Sequence, residues 1–334
     1  MTKQVQDVPI FEADRVLECG NTLGEGITWA NGQIVWVDIE NASVHTLTGD
    51  KHETRTFPET RYVPAVAGVA GAEDGLVAAF HDRLVHLPSP SSSPEDIALL
   101  IPEEEKSAVR LNDGACDPAG RFLVGSMNLD GLGISPPLGK LYSVSASPSA
   151  SGGYQVKTLL EDVGCSNGID WTPDGRTMYY IDSAHPRIDV FDYDVSSGSI
   201  SNRRVFVTEA DLPPLPPASR VPAPMVAFDG LTVDGAGNVW VARWGESRVV
   251  CYRPSGEAIL QVVTPEARTP TIPAFGGEGL DELWLATASA ELAGQKAQDW
   301  PRSGDVFKLK IGQEIKALLG GGWKGRARHG FRLA

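Results

Sequence analysis

The sequence predicts an all-β protein, a six-bladed β-propeller around a central channel, and three observations predict it. A turn followed by two short apolar strands recurs six times at about 40 to 60 residues, the length of a four-stranded blade. Gly and Pro number 36 and 24 while charged residues make up only 22% of the chain, a balance that disfavours long helices. Helical periodicity is confined to two short windows, residues 91–100 and 287–297, where short helices are expected.

The repeats run in order. Asn31-Gly32 leads to a strand at 33–38 with a partner at 43–47; Glu73-Asp74-Gly75 leads to 76–80 with 83–87; Pro118-Ala119-Gly120 leads to 121–126 with 140–144. Pro173-Asp174-Gly175 then leads to 176–182 with 188–193, Gly235-Ala236-Gly237 to 238–242 with 248–253, and Asp281-Glu282 to 283–287 with 305–310. Short apolar runs bounded by Asn-Gly, Asp-Gly and Ala-Gly turns are hairpin chemistry. At 334 residues the chain exceeds the usual size of one core, but each blade brings its own, so residues 1–334 are expected to form a single domain. About ten residues at its start and about fifteen at its end stand at the margin.

A finer phase carries the functional reading. Six residues upstream of each first turn stand Glu25, Ala67, Asp113, Asn167, Asp229 and Phe275, and every one is followed by glycine. Glycine there lets the innermost strands crowd around the axis. If the propeller closes, the six positions form a ring at one mouth of the channel, with acids or an amide at four of them. Glu25, Asn167 and Asp229 make an oxygen-only donor set suited to one Ca²⁺, Mg²⁺ or Mn²⁺ ion and tolerably to Zn²⁺. Three protein ligands leave positions open for water and a substrate carbonyl, as in a catalytic site. Beside the ring, Arg110 and Asn112 are able to hold hydroxyls and the carbonyl of a polyol, although an arginine paired with Asp113 or a neighbouring Glu reads the same. Asp130 leaves the same blade on a Gly/Pro loop and either reaches the pocket or stands in solvent. Three loops, 128–139, 211–225 and 288–304, are long enough to wall a pocket, the second stiffened by proline.

Composition excludes other classes. A net charge of −14 disfavours nucleic acid and anionic membrane as partners. The N-terminus has no basic-then-apolar leader and no run approaches the roughly 18 apolar residues of a membrane helix, so a cytoplasmic protein is expected, as a monomer or weak homodimer. Cys19, Cys116, Cys165 and Cys251 lack CxxC spacing and are expected as reduced, mostly buried thiols. Gly164-Cys165-Ser166-Asn167-Gly168 fits G-x-S-x-G, but strand rather than helix follows, against a nucleophile elbow. Residues 320–325 fit G-x-G-x-x-G with no room for a βαβ unit, and are expected as a flexible tail or a loop leading into a strand. The six histidines show no metal spacing; His185 alone stands where it would reach a pocket rim, a surface turn being the plainer reading.

These residues resemble the senescence marker protein (regucalcin), gluconolactonase and luciferin-regenerating enzyme family. The resemblance lies in Gly24-Glu25-Gly26-Ile27-Thr28-Trp29, Arg110-Leu111-Asn112-Asp113-Gly114, Asp117-Pro118-Ala119-Gly120-Arg121, Ser166-Asn167-Gly168-Ile169-Asp170-Trp171, Tyr179-Tyr180-Ile181-Asp182-Ser183, Phe191-Asp192-Tyr193-Asp194 and Phe228-Asp229-Gly230-Leu231. It implies a six-bladed propeller with one divalent ion held by Glu25, Asn167 and Asp229, and substrate contacts from Arg110, Asn112 and Asp130, the last a position where some relatives carry Glu. The expected activity is metal-dependent hydrolysis of a small sugar lactone to the aldonic acid. Asp229 is expected as general base, with Glu25 as the alternative, and Asp113 stands behind the ligands. A non-catalytic, regucalcin-type metal-binding protein and a hydrolase of a non-sugar lactone or ester are the other readings; a propeller interaction scaffold is disfavoured by an aromatic content of only 7% and by acids at the axis.

Overall fold

Asn31 and Gly32 take φ of 53° and 73°, and the strands they join pair Ala30 with Gln33, a two-residue loop. Both central residues left-handed is the hairpin geometry whose twist matches the flanking strands. From such turns the chain builds six sheets in succession, the blades of a closed ring. The structure is a computed structural model and describes residues 7–334 except 73–74, 132–134, 148, 151–152 and 220. The expected Glu73-Asp74 turn and the first six residues therefore fall outside the described residues.

Blades one to four each run in chain order from the axis outward, beginning with Gly24–Ala30, Ala65–Gly68, Val109–Cys116 and Ser166–Trp171. Burial grades along each blade. Ser166–Trp171 and Val109–Cys116 are buried at every residue, whereas the outermost strand of blade one, Lys51–Thr56, alternates exposed and half-buried. The second strands, such as Gln33–Asp38 and Val239–Trp244, are packed on both faces and read as largely apolar runs, which is why the inner hairpins were legible. Trp36, Trp171 and Trp240 fill the space between neighbouring sheets.

The N-terminus closes the ring. Asp14–Leu17 adds antiparallel to Val306–Lys310 as the outer strand of blade six, and Ile10–Glu12 lies parallel to Ala258–Val263 on blade five. The C-terminal segment, far from being a flexible tail, crosses the far end of the channel. A short helix, Gln313–Leu319, precedes it, and Trp323 is buried with its indole donating to Asp234 at 2.6 Å. Arg326 then donates to Asp170 at 2.6 Å, Arg328 to the Leu231 carbonyl at 2.6 Å, and Phe331 is fully buried against Tyr154 and Phe122.

Both expected helices fail. Residues 95–99 form the edge strand of blade two, where mixed polar and apolar residues imitate a helical period. The strand Glu282–Ala288 occupies the start of the second window, and only one turn of 3₁₀ helix, Ala290–Ala293, follows before Gly294 stops it at φ 70°. Among the described residues no helix is long and apolar enough to cross a membrane.

Candidate active site

Four innermost strands carry the same irregularity at the same level. Their ladders shift register between Glu25 and Thr28, Leu111 and Gly114, Ser166 and Ile169, and Phe228 and Leu231. A bulge of this kind re-aims the extra residue's side chain out of the sheet. Asp113, Asn167 and Asp229 lie within the bulges and Glu25, paired with Val37, borders the fourth, so the four positions stand at nearly the same level. Close packing explains the glycines that follow: a Cβ on Gly168 would stand 2.6 Å from the Leu231 nitrogen, and one on Gly230 2.5 Å from Ile272 Cβ.

Ala67 and Phe275 do not belong to this ring. A Cβ on Gly68 would meet Ala30, the last residue of blade one's inner strand, and one on Gly276 would meet Ile34, whose partner is Trp29. Both therefore sit toward the opposite end of the channel from Glu25; Phe275 packs edge-on to Trp240 and Trp323. The inner strands there end one residue after Ala67 and one after Phe275, against three to five residues after the other four positions, so counting back from the turn lands too deep.

Glu25, Arg110, Asn112, Asn167 and Asp229 line one cavity of about 310 Å³ at the open mouth. The three loops expected to wall a pocket each contribute, through Gly131, Met225 and Leu292. The proline-rich loop is held by its carbonyls: Arg248 donates to Pro213 at 2.9 Å, Gln261 to Pro214 at 3.1 Å, and Arg268, stacked on Trp300, to Ser219 and Val221. Asp130 is exposed and outside the lining, its neighbour Gly131 taking that place. His185 is half exposed beside Asp182 and also outside it.

Hydrogen bonds orient the polar side chains. Ser183 Oγ donates to the Phe228 carbonyl at 2.6 Å, which leaves it only acceptor capacity toward Asn167 Nδ2 at 2.8 Å. The amide nitrogen is thereby tied back and Oδ1 is presented to the cavity. Asn112 donates to the Ser166 carbonyl at 2.8 Å and accepts from Arg110 Nη1 at 2.7 Å, while the Arg110 guanidinium lies over the Tyr62 ring. Arg110 spends its bonds on this scaffold rather than on Asp113. Ser183 and Glu40, which also line the cavity, were not singled out from sequence; Ser183 had a signal, two residues of Asp182-Ser183 placed one strand beyond Asn167.

The electrostatics are those of an uncompensated acid cluster. Burial pushes the Glu25 carboxyl well above the usual carboxylate range, and Asp229 and then Asp113 add to it. Asp229 is pushed well up by burial and by Asp113; Asp113 is raised by burial, with Arg328 opposing. Among the described residues none of the three is ion-paired, and Asp113 Oδ2 is buried with no partner at all. No group of three or more His, Cys, Asp or Glu able to hold a metal occurs among the described residues; the expected set has two acids, its third donor being an amide. Buried carboxyls without an ion-pair partner, beside an oriented amide oxygen, fit a hard or borderline divalent cation held by Glu25, Asn167 and Asp229.

Other nucleophiles are ill placed. Ser166 Oγ is buried and receives the Tyr180 hydroxyl at 3.0 Å, and burial drives the Cys165 thiol far up, away from thiolate character. All four cysteines are free, three of them buried.

Comparison with known proteins bears on the family and the fold. The family model described as the SMP-30/Gluconolactonase/LRE-like region matches residues 23–289. The chain is 30% identical over 303 residues to the pentonolactonase XacC of Haloferax volcanii, covering 89% of this chain and 94% of that one. It is 30% identical over 305 residues to the L-arabinolactonase of Azospirillum brasilense, covering 90% and 92%. A solved luciferin-regenerating enzyme superposes with a TM-score of 0.79 at 28% identity over 96% of this chain and 99% of that one. A calcium-binding regucalcin from Agrobacterium tumefaciens does so with a TM-score of 0.79 at 25% identity over 98% and 100%. With its six blades, its ring of acids and a match spanning most of its length, the chain belongs to the SMP-30/gluconolactonase/LRE-like family.

Proposed function

We propose that this protein is a metal-dependent lactonase that opens a small lactone, an aldonolactone in the first instance, to the hydroxy acid. The observation that carries the reading is the pairing of two buried, unpaired carboxylates with an amide oxygen turned into the same cavity. The named activities of the pentonolactonase and arabinolactonase relatives support the substrate class. A Ca²⁺, Mg²⁺, Mn²⁺ or Zn²⁺ ion held by Glu25, Asn167 and Asp229 would supply Lewis-acid polarisation of the ester carbonyl and acidification of water.

The chain's own groups do the rest. Arg110 and Asn112, locked to each other, position the ring and its oxygens at the cavity floor. Asp229, whose burial raises its proton affinity, takes the proton from the attacking water, with Glu25 as the alternative acceptor. The water oxygen bonds to the carbonyl carbon, the ring C–O bond breaks, and the freed ring oxygen takes up a proton. Asp113, one step behind, keeps the cluster negative and so favours a cation in front of it. Asp130 stays a candidate contact from its exposed loop.

Alanine at Glu25, Asn167 or Asp229 should lower metal-dependent lactone hydrolysis by at least about a thousandfold while leaving the β circular dichroism unchanged. Acid release in a pH-stat, with and without chelator, reads it out. Full activity in Asp229→Ala would reject that residue's role, and metal binding without hydrolysis of any lactone would favour the regucalcin-type reading.

A further inference from the structure

The cavity has two unlike sides. Besides Glu25, Asn112, Asn167 and Asp229 it is lined by the apolar Leu23, Met225, Ala227, Trp244 and Leu292, while Met127 stands on the polar side, against Cys165 and paired with Arg110. Two of these apolar residues come from the inserted loops, and Ala227 and Trp244 from paired strands of blade five. Met225 ends the proline-rich one and Leu292 sits in the 3₁₀ turn of the other, and the two loops lock together: Gln295 donates to the Pro222 carbonyl at 3.2 Å and Pro224 packs on Gly294. Buried guanidinium groups hold the backbone behind them, Arg248 and Arg268 each binding loop carbonyls. The apolar surface continues outward rather than stopping at the mouth, with Val221 50%, Val226 40% and Leu292 39% exposed. Inside it, the Trp244 indole nitrogen is buried without a partner.

We propose that the substrate is a lactone whose ring carries an apolar substituent, alkyl or aryl, seated against Met225, Trp244 and Leu292. The proposal rests on the lactonase reading and narrows its substrate class. A polyhydroxylated ring would press hydroxyls on this wall with only one unpartnered donor, the Trp244 N–H, to meet them, and each unmet hydroxyl weakens binding. An alkyl chain fills the same space and gains about fourfold in binding per methylene removed from water. Methionine side chains adapt to irregular apolar shapes, and a tryptophan offers a flat face to an aryl ring. The scissile ester keeps the polar floor, so one ligand satisfies both halves.

The test is a kcat/KM series with the purified, metal-loaded protein on γ-butyrolactone, γ-hexalactone, γ-nonalactone and a pentono-γ-lactone. The specificity constant should climb about fourfold per methylene until the wall is covered, and the longest alkyl lactone should exceed the pentonolactone. Met225→Ser and Leu292→Ser should each shrink the nonalactone-to-butyrolactone ratio about three- to tenfold. A flat or falling series, or a pentonolactone turned over faster than every alkyl lactone, overturns the apolar subsite while leaving the lactonase reading intact. Hydrolysis of none of them, with metal bound, overturns both.

Discussion

Replacing Ser183 by alanine tests the site without touching a proposed ligand. The hydroxyl does two things: it accepts from Asn167 Nδ2 at 2.8 Å and donates to the Phe228 carbonyl at 2.6 Å. Its loss frees the amide to turn about its last torsion, so that N–H rather than Oδ1 faces the cation for part of the time. Removing a group that orients a ligand lowers metal affinity about ten- to hundredfold, or about 1.4–2.8 kcal/mol. The metal-free fold should lose about 1–2 kcal/mol for the two hydrogen bonds, too little to unfold it. Calorimetric titration with Ca²⁺ and Mn²⁺ reads the first effect and chemical denaturation the second. Ser183→Thr keeps the hydroxyl and should recover most of the affinity. If Ser183→Ala binds these ions as the parent does while Asn167→Ala does not, the amide is held by something else and the argument from the hydrogen-bond chain is wrong.

Two further outcomes follow from the same geometry. The Glu25, Asp113 and Asp229 carboxyls are raised in the folded protein, so the metal-free fold is favoured while they are protonated and loses that advantage as pH rises through their folded values. Chelated protein should therefore melt at falling temperature from about pH 4 upward, a slope that saturating metal removes; parallel profiles with and without metal would contradict it. At the other end of the channel, Phe331→Ala should cost about 3–5 kcal/mol in guanidinium denaturation, because the ring is wholly buried, and an unchanged midpoint would make the C-terminal segment dispensable.

Repeat number and hairpin positions were legible because blades announce themselves locally. Left-handed Asn31-Gly32 and the buried, β-branched runs beside it are properties of a few neighbouring residues. The ring was legible only where a turn stands at a constant distance from a bulge, as for Glu25, Asp113, Asn167 and Asp229. Ala67 and Phe275 slipped because depth along a strand is set by the partner strand, and their strands end only one residue further on. The inserted loops show the other limit. Their prolines signalled stiffness, yet what immobilises them is Arg248 and Arg268 reaching in from other strands, a contact between residues up to 49 apart in the chain. Asp130 illustrates the same point in reverse: the motif puts a carboxylate at the head of the loop, but the loop carries Gly131 rather than that carboxylate into the cavity lining.

The C-terminal segment explains why the acids gather at one mouth only. A six-bladed ring leaves a channel open at both ends, and solvent from either side would screen charges on the axis. Here Trp323, Arg326, Arg328 and Phe331 cross the far end, bonding to Asp234, Asp170, Leu231 and Gly68, all within two residues of the ends of the inner strands. Asp113 then lies between this plug and the cavity, with Arg328 as the cation that opposes its upward shift. Arg328 opposes Asp113 from behind, as Arg110 and Arg243 oppose Glu25 and Asp229, but burial outweighs all three and the acid cluster faces the open side. A cation arriving from solvent meets that field from a single direction, and so does the carbonyl of a lactone, which is the arrangement a one-sided pocket with a fixed approach requires.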